Sequence, residues 1–290
     1  MRRVCTILAA ALLLVASGCS ANRKQAEKPL ASAAPTQQAR TDTAMEMEQP
    51  FQLDNVLKTD DLGEIHYNLS VPQGYDAAHV YALHIALPGW EGLYFQGVGE
   101  DLKWEYLPHE SAGYVADMIV ASLQLNDWNK NSAMQTVRLT EYLTETYSID
   151  RDRVYITGYS AGGETLSRVL EIKPELYKAA LFVSSQWDGD PEVLAAARTR
   201  LYLFTSAHDS YYGSEPAKEA WQRVYDLYRA QGLTDAEISE LLVLDIREDA
   251  WFDRMIAEHA ERTGAQYATD YHGAGMLVAF DESVMQWVFQ

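Results

Sequence analysis

Short, nearly unbroken apolar runs alternate along this chain with longer stretches in which apolar residues recur at helical spacing. LGEIHYNLSVPQGY (62–75) alternates apolar and polar positions and stops at Pro-Gln-Gly, the pattern of an early edge strand and its turn. VYALHIALPGW (80–90), GYVADMIVASLQ (113–124), RVYITG (153–158), KAALFVSS (178–185) and RLYLFTSAHD (200–209) are apolar enough to be strands buried on both faces, and ELLVLDI (240–246) adds one more. Helical spacing marks 132–148, through Met134, Val137, Tyr142 and Leu143. It marks 162–171, 215–232 with Gly232 as its stop, and 249–264 as well. A last strand near 265–270 and a short terminal helix in ESVMQWVFQ complete the reading. Strands alternating with helices of this length predict an α/β domain, a mostly parallel sheet flanked by helices.

The first fifty residues follow another rule. Arg2 and Arg3 precede an apolar run from Val4 to Ala16 and the sequence ASGCS, which reads as a secretory signal. The run is too short for a mature membrane span. Cys19 stands where a bacterial lipobox places its acylated cysteine, so the expectation is a signal peptide over 1–18 and a lipid anchor at Cys19; ordinary cleavage near Ala16 or Gly18 is the alternative. Such a protein is extracytoplasmic, bound to the bacterial cell envelope. Cys5 leaves with the signal and one cysteine remains, so disulfides are not expected to hold the fold. Residues 19–50 are rich in Ala, Gln, Thr and Pro and read as a flexible tether. Residues 51–290 are enough for one well-packed domain.

Charge narrows the partners. Six basic and four acidic residues precede position 51, which leaves 17 basic and 38 acidic in the domain, a formal −21. So negative a surface excludes nucleic acid and disfavours anionic substrates. No dinucleotide fingerprint, P-loop or HExxH occurs, and neither a cofactor nor a metal is expected.

Ligand sites on parallel sheets collect beyond the carboxyl ends of the strands. Four predicted strands end there in chemically loaded residues: Pro88-Gly89-Trp90, Ser160, His208-Asp209 and His272. Gly158-Tyr159-Ser160-Ala161-Gly162 fits the G-x-S-x-G nucleophile elbow, with a strand before it and a helix after. A serine of ordinary pKa needs a base, and the base an orienting acid. Only His208, His259 and His272 follow Ser160. His259 falls inside a helix and reads as a surface residue; His208 adjoins Asp209. His272, between glycines in a loop, is therefore the expected base. Asp209 is the expected acid, with Asp188 and Asp190, one strand earlier, as rivals. The oxyanion hole is expected from the N–H of Ala161 and an N–H of either Gly89 or Trp90.

The segments YNLSVPQGYD, LPGW, GYSAGG, HDSYYG and YHGAG together resemble the secreted α/β-hydrolases grouped as polyhydroxybutyrate-depolymerase-like and feruloyl-esterase-like enzymes, near the prolyl-oligopeptidase-type esterases. The resemblance spans about residues 60–290. It implies the α/β-hydrolase fold, no metal, and cleavage of carboxylic esters through an acyl-enzyme. Relatives commonly carry His-Gly where this chain has Pro88-Gly89, so the shape of that loop is the point of departure.

Aromatic residues crowd the loops expected at the mouth. Tyr159, Trp128, Trp187 and Tyr211 are expected to contact substrate, as platforms for an aryl group, a sugar ring or a polymer surface, although such rings also serve core packing. The expected substrate is thus a small-molecule or polysaccharide- or polymer-linked ester. A prolyl-oligopeptidase-type peptidase and a non-catalytic binding module on the same scaffold are the competing readings. The peptidase reading is weakened because the chain has no room for a large N-terminal propeller. One further match is practical: EGLYFQG (91–97) fits the E-x-x-Y-x-Q-G pattern cut by a protease used to remove tags, a hazard if this loop is exposed.

Overall fold

The computed structural model describes residues 50–264 and 270–290. The expected signal and Cys19, the tether up to Pro50, and the strand expected near 265–270, apart from Asp270, lie outside the described residues. Strands β1 (Gln52–Thr59), β2 (Gly63–Ser70), β3 (Tyr81–Leu87), β4 (Met118–Gln124), β5 (Ile149–Tyr159), β6 (Ala179–Val183), β7 (Arg200–Ser206) and β8 (Leu242–Arg247) form one sheet in the order β1-β2-β4-β3-β5-β6-β7-β8. β1 and β2 pair antiparallel, as do β2 and β4, and every other pairing is parallel. Around the sheet lie helices α1 (Glu100–Trp104), α2 (Leu107–Glu110), α3 (Lys130–Thr146), α4 (Ala161–Ile172), α5 (Pro191–Ala197), α6 (Glu215–Ala230), α7 (Asp235–Leu241), α8 (Asp249–Thr263) and α9 (Glu282–Val288). This is the α/β-hydrolase fold.

Alternate residues of each central strand point to opposite faces, and the core divides accordingly. Leu83, Ile85 and Leu87 of β3, with Ala180 and Phe182 of β6, join Leu139 of α3, Leu166 and Val169 of α4 and Val224 of α6. Their neighbours Ala82, Leu181 and Val183 face the other way, toward Phe252 of α8, Leu277 and Val278 of the 3-10 segment Gly273–Phe280, and Met285 of α9. A strand buried on both faces is mostly apolar, which is why these segments are so plain in the sequence.

Several expectations change. The strand expected at the edge is β2, and it lies inside the sheet, because β1, which the sequence reading did not resolve, pairs along its open side. Met134 and Tyr142, taken as markers of the inward face of α3, are exposed; Ala133, Val137, Leu139 and Leu143 face the core. The run 240–246 is divided between two elements. Thr234 and Glu237 make a capping box that starts α7, and β8 begins only at Leu242. Helix α5, also unresolved in the sequence reading, starts at the Asp190 side chain, which accepts from the Glu192 amide. His259 is not at the surface: it is buried, and its Nε2 lies 2.9 Å from the Tyr106 hydroxyl.

Candidate active site

Ser160 sits between the end of β5 and the start of α4 with φ 51° and ψ −120°, a left-sided conformation that costs free energy outside glycine. Close packing on every side enforces it. A Cβ at Gly158 would meet the Gly162 carbonyl oxygen at 2.4 Å, and one at Gly162 would meet the Leu87 carbonyl oxygen at 2.2 Å. Only glycine permits strand and helix to approach this closely. The Ser160 N–H donates to the Val183 carbonyl (3.0 Å), and the Ser185 hydroxyl donates to the Ser160 carbonyl (2.6 Å). With its backbone pinned, Ser160 projects Oγ at the N-terminus of α4, where unpaired amides favour negative charge.

The structure brings Ser160, His272 and Asp209 together. Ser160 Oγ lies 3.0 Å from His272 Nε2, and His272 Nδ1 lies 2.9 Å from Asp209 Oδ2. The Asp209 side chain is wholly out of solvent. Its other oxygen, Oδ1, accepts the amides of Tyr211 (2.9 Å) and Tyr212 (2.8 Å). Burial alone pushes the Asp209 carboxyl up. The hydrogen bond and charge of His272, with the two amides, outweigh it and hold the group below the usual carboxylate range. An ionised Asp209 in turn fixes the proton of His272 on Nδ1 and leaves Nε2 as an acceptor facing Ser160.

The rival acids are engaged elsewhere. Asp188 pairs with Arg168 and accepts from Gln186, while Asp190 caps α5. His208 points away to Asp249, 2.7 Å from its Nδ1. Asp270, beside the base loop, accepts the Gly273 amide.

At the oxyanion side the structure distinguishes the two candidates that the sequence left open. The Gly89 N–H donates to the buried Glu105 carboxylate, at 2.5 Å. That amide is therefore taken, which leaves, of the two, the Trp90 N–H at the start of the 3-10 turn Trp90–Gly92. Ala161, the first residue of α4, follows Ser160, and the amides of a helix's first turn have no intrahelical acceptor.

Of the residues expected to contact substrate, two adjoin the base. The Tyr159 ring lies 5.3 Å from that of His272, and its hydroxyl donates to the His272 carbonyl at 3.3 Å. The Tyr211 ring lies 5.4 Å from His272 and is 59 % exposed. Trp90, 43 % exposed, stacks edge-on with exposed Phe95. Trp128 is also exposed, in the loop after β4. Trp187 is partly buried: its indole N–H donates to the Gly189 carbonyl, and the ring packs on Phe182 against the larger core cluster.

Three interactions escaped the sequence reading. Tyr212 donates to Glu164 in the first turn of α4 (2.6 Å), and burial together with that carboxylate raises its phenol far above the ordinary value. Glu105 lies under the oxyanion loop. His84 is wholly buried between the hydroxyls of Ser111 and Thr157 (2.8 and 2.9 Å), and burial lowers its pKa to about 3, so it is a neutral core node. Only His84, a titratable residue in the apolar run YALHIAL, carries a signal in advance. Among the described residues, no group of three or more His, Cys, Asp or Glu is placed to hold a metal ion.

Comparison with known proteins agrees with the fold. Residues 123–240 match the prolyl oligopeptidase family, a span that includes Ser160 and Asp209 but neither the Pro88–Trp90 loop nor His272. Among solved structures, a thermostable esterase superposes with TM-score 0.64 at 19 % identity, over 82 % of this chain and 62 % of that one. A feruloyl esterase module from Clostridium thermocellum, complexed with sinapinate, superposes at 0.52 with 14 % identity, over 83 % and 88 %. Oligopeptidase B from Trypanosoma brucei gives 0.50 at 12 %, over 83 % and 36 %. A curated relative, galactocerebrosidase from Salmo salar, is 27 % identical over 179 residues, which is 58 % of this chain but only 26 % of that protein. The chain thus spans about a quarter of the length of that relative. The chain has the α/β-hydrolase fold and is similar in part to esterases and peptidases.

Proposed function

We propose that this protein is a serine hydrolase of carboxylic esters that works through an acyl-enzyme. The observation that carries the reading is the continuous chain Asp209–His272–Ser160, with Ser160 held in a strained turn at a helix N-terminus. His272 takes the Ser160 proton as Oγ attacks the ester carbonyl, and Asp209 stabilises the imidazolium that forms. The N–H groups of Ala161 and Trp90 hold the tetrahedral oxyanion. His272 then protonates the departing alcohol, and water, activated by the same imidazole, releases the acid and restores Ser160.

Exposed Trp90, Phe95 and Tyr211 offer flat apolar platforms at the mouth, suited to an aryl acyl group or the sugar or polymer that bears it. The similarity of residues 123–240 to the prolyl oligopeptidase family supports peptide-bond cleavage as the second reading. We further propose that Cys19 carries a lipid that holds the domain at the outer face of a bacterial membrane; loss of detergent partitioning in Cys19→Ala tests it.

The deciding assay is turnover of p-nitrophenyl acetate, butyrate and octanoate, methyl ferulate and a prolyl-peptide anilide by wild type and Ser160→Ala. Serine-dependent cleavage of the short esters or ferulate is expected. Cleavage of the anilide alone would make the protein a peptidase, and no turnover at all would leave a binding module.

A further inference from the structure

Pro88 has no N–H, so the first backbone donor of the loop after β3 is Gly89, and the structure commits it inward. Its partner Glu105 follows α1 and is buried with its carboxyl beneath the loop. Tight contacts leave the loop little freedom. A Cβ at Gly89 would meet the Tyr159 ring at 2.9 Å and Glu105 Oε1 at 3.6 Å, and a Cβ at Gly92 would meet Pro88 Cβ at 2.6 Å and Asp101 Cα at 2.9 Å. α1 is itself anchored: both Asp101 carboxylate oxygens accept from the Asn68 side chain on β2 (2.9 and 3.1 Å), and the Glu105 amide donates to the Asp101 carbonyl (3.0 Å). The path from the sheet to the oxyanion loop thus runs Asn68, Asp101, Glu105, Gly89.

We infer that Glu105 is a positioning residue of the oxyanion hole: by accepting the Gly89 N–H it sets the peptide plane that turns the next amide, Trp90 N–H, toward the carbonyl attacked by Ser160. The inference rests on the ester-hydrolase reading above. What the loop requires of Glu105 is reach and a hydrogen-bond acceptor. Burial pushes its carboxyl well above the usual range, opposed by the Gly89 amide and reinforced by nearby Asp101 and Glu91, so a neutral acceptor serves as well.

Two substitutions separate reach from charge. Glu105→Gln keeps the length and an acceptor oxygen; Glu105→Asp keeps the carboxyl but withdraws it by one methylene. The test measures kcat and KM on p-nitrophenyl butyrate, and calorimetric affinity for phenylboronic acid, which forms a tetrahedral oxyanion mimic on an active serine. Wild type, Ser160→Ala and both variants are compared. Glu105→Gln is expected within about fivefold of wild type. Glu105→Asp is expected to lose about 10²-fold in kcat at little-changed KM, the cost of a misplaced oxyanion donor, and to bind the boronate correspondingly more weakly. Wild-type kcat in Glu105→Asp, a loss confined to KM, or an equal loss in Glu105→Gln overturns the inference. Boronate binding needs no ester turnover, so it separates the two failures. If wild type leaves esters uncut but binds boronate through Ser160 more tightly than Glu105→Asp does, the ester reading falls and the positioning role stands; equal affinities overturn the role.

Discussion

Replacing Asp209 by Asn changes one atom and tests the electrostatic core of the site. In the wild type, one carboxylate oxygen serves His272 Nδ1 while the other accepts the amides of Tyr211 and Tyr212. An asparagine has a single acceptor oxygen. If that oxygen keeps the two amides, the NH2 group faces Nδ1, which must then give up its proton; the proton moves to Nε2, and the base confronts Ser160 as a donor. If the oxygen turns to His272, two buried amides lose their acceptor, at a cost of about 1–3 kcal/mol each. The first arrangement costs less and preserves the fold, so Asp209→Asn should fold and fail. The expected loss is about 10⁴-fold in kcat, the size of effect known for the wrong tautomer in a Ser-His-Asp site, or roughly 5.5 kcal/mol of barrier. Stopped assays with p-nitrophenyl butyrate over several hours measure so slow a rate. Asp188→Asn, which disturbs only the Arg168 pair and the Gln186 contact, is the control and should stay within about threefold. A rate for Asp209→Asn within tenfold of wild type, or a larger loss in Asp188→Asn, would refute the assignment of the acid.

The same carboxylate gives a pH signature of stability. Its pKa is lower folded than unfolded, so its contribution is present above the unfolded value of about 3.9 and is lost as pH falls through the lower folded value; Asp209→Asn should flatten that part of the acid-unfolding curve, and an unchanged curve would contradict it. Gly162→Ala forces a Cβ to 2.2 Å from the Leu87 carbonyl oxygen, backbone against backbone. We expect at least about 3 kcal/mol of destabilisation, a fall of roughly 6–12 °C in Tm, and a Tm within about 2 °C of wild type would show that the elbow yields. Finally, EGLYFQG should resist the tag-removal protease in the native protein: it is coiled into two 3-10 turns, with Leu93 buried and the Tyr94 ring stacked 3.8 Å from His66, whereas proteolytic cleavage needs an extended, accessible strand. A native-state cut at Gln96–Gly97, seen by mass spectrometry, would mean that the loop opens.

Local chemistry made much of this protein legible in advance. The buried stretches of β3 through β7 are mostly apolar because strands covered on both faces are, and their spacing with helices already implied a parallel sheet. The glycines of GYSAGG announced a turn that no side chain at 158 or 162 can enter; chain order left His208, His259 and His272 as candidate bases, and the glycine-flanked loop favoured His272. The features that the sequence left open depend on neighbours distant along the chain. His272 reaches across 63 positions to Asp209 and 112 to Ser160, and no local pattern distinguishes Asp209 from Asp188 until their surroundings do. His259 has the spacing of a helix and was read as surface, but only the packing of α8 against Tyr106 showed which face it occupies. β1 carries too mixed a pattern to be seen alone, with polar positions tolerated because it sits at the edge of the sheet. Gly89 differs from Trp90 in giving its N–H to Glu105, sixteen residues further on in a segment with no motif. Periodicity and turn chemistry act between neighbours in the chain and can be read there; the partner of a buried polar group is decided by which elements the finished sheet brings within hydrogen-bonding distance.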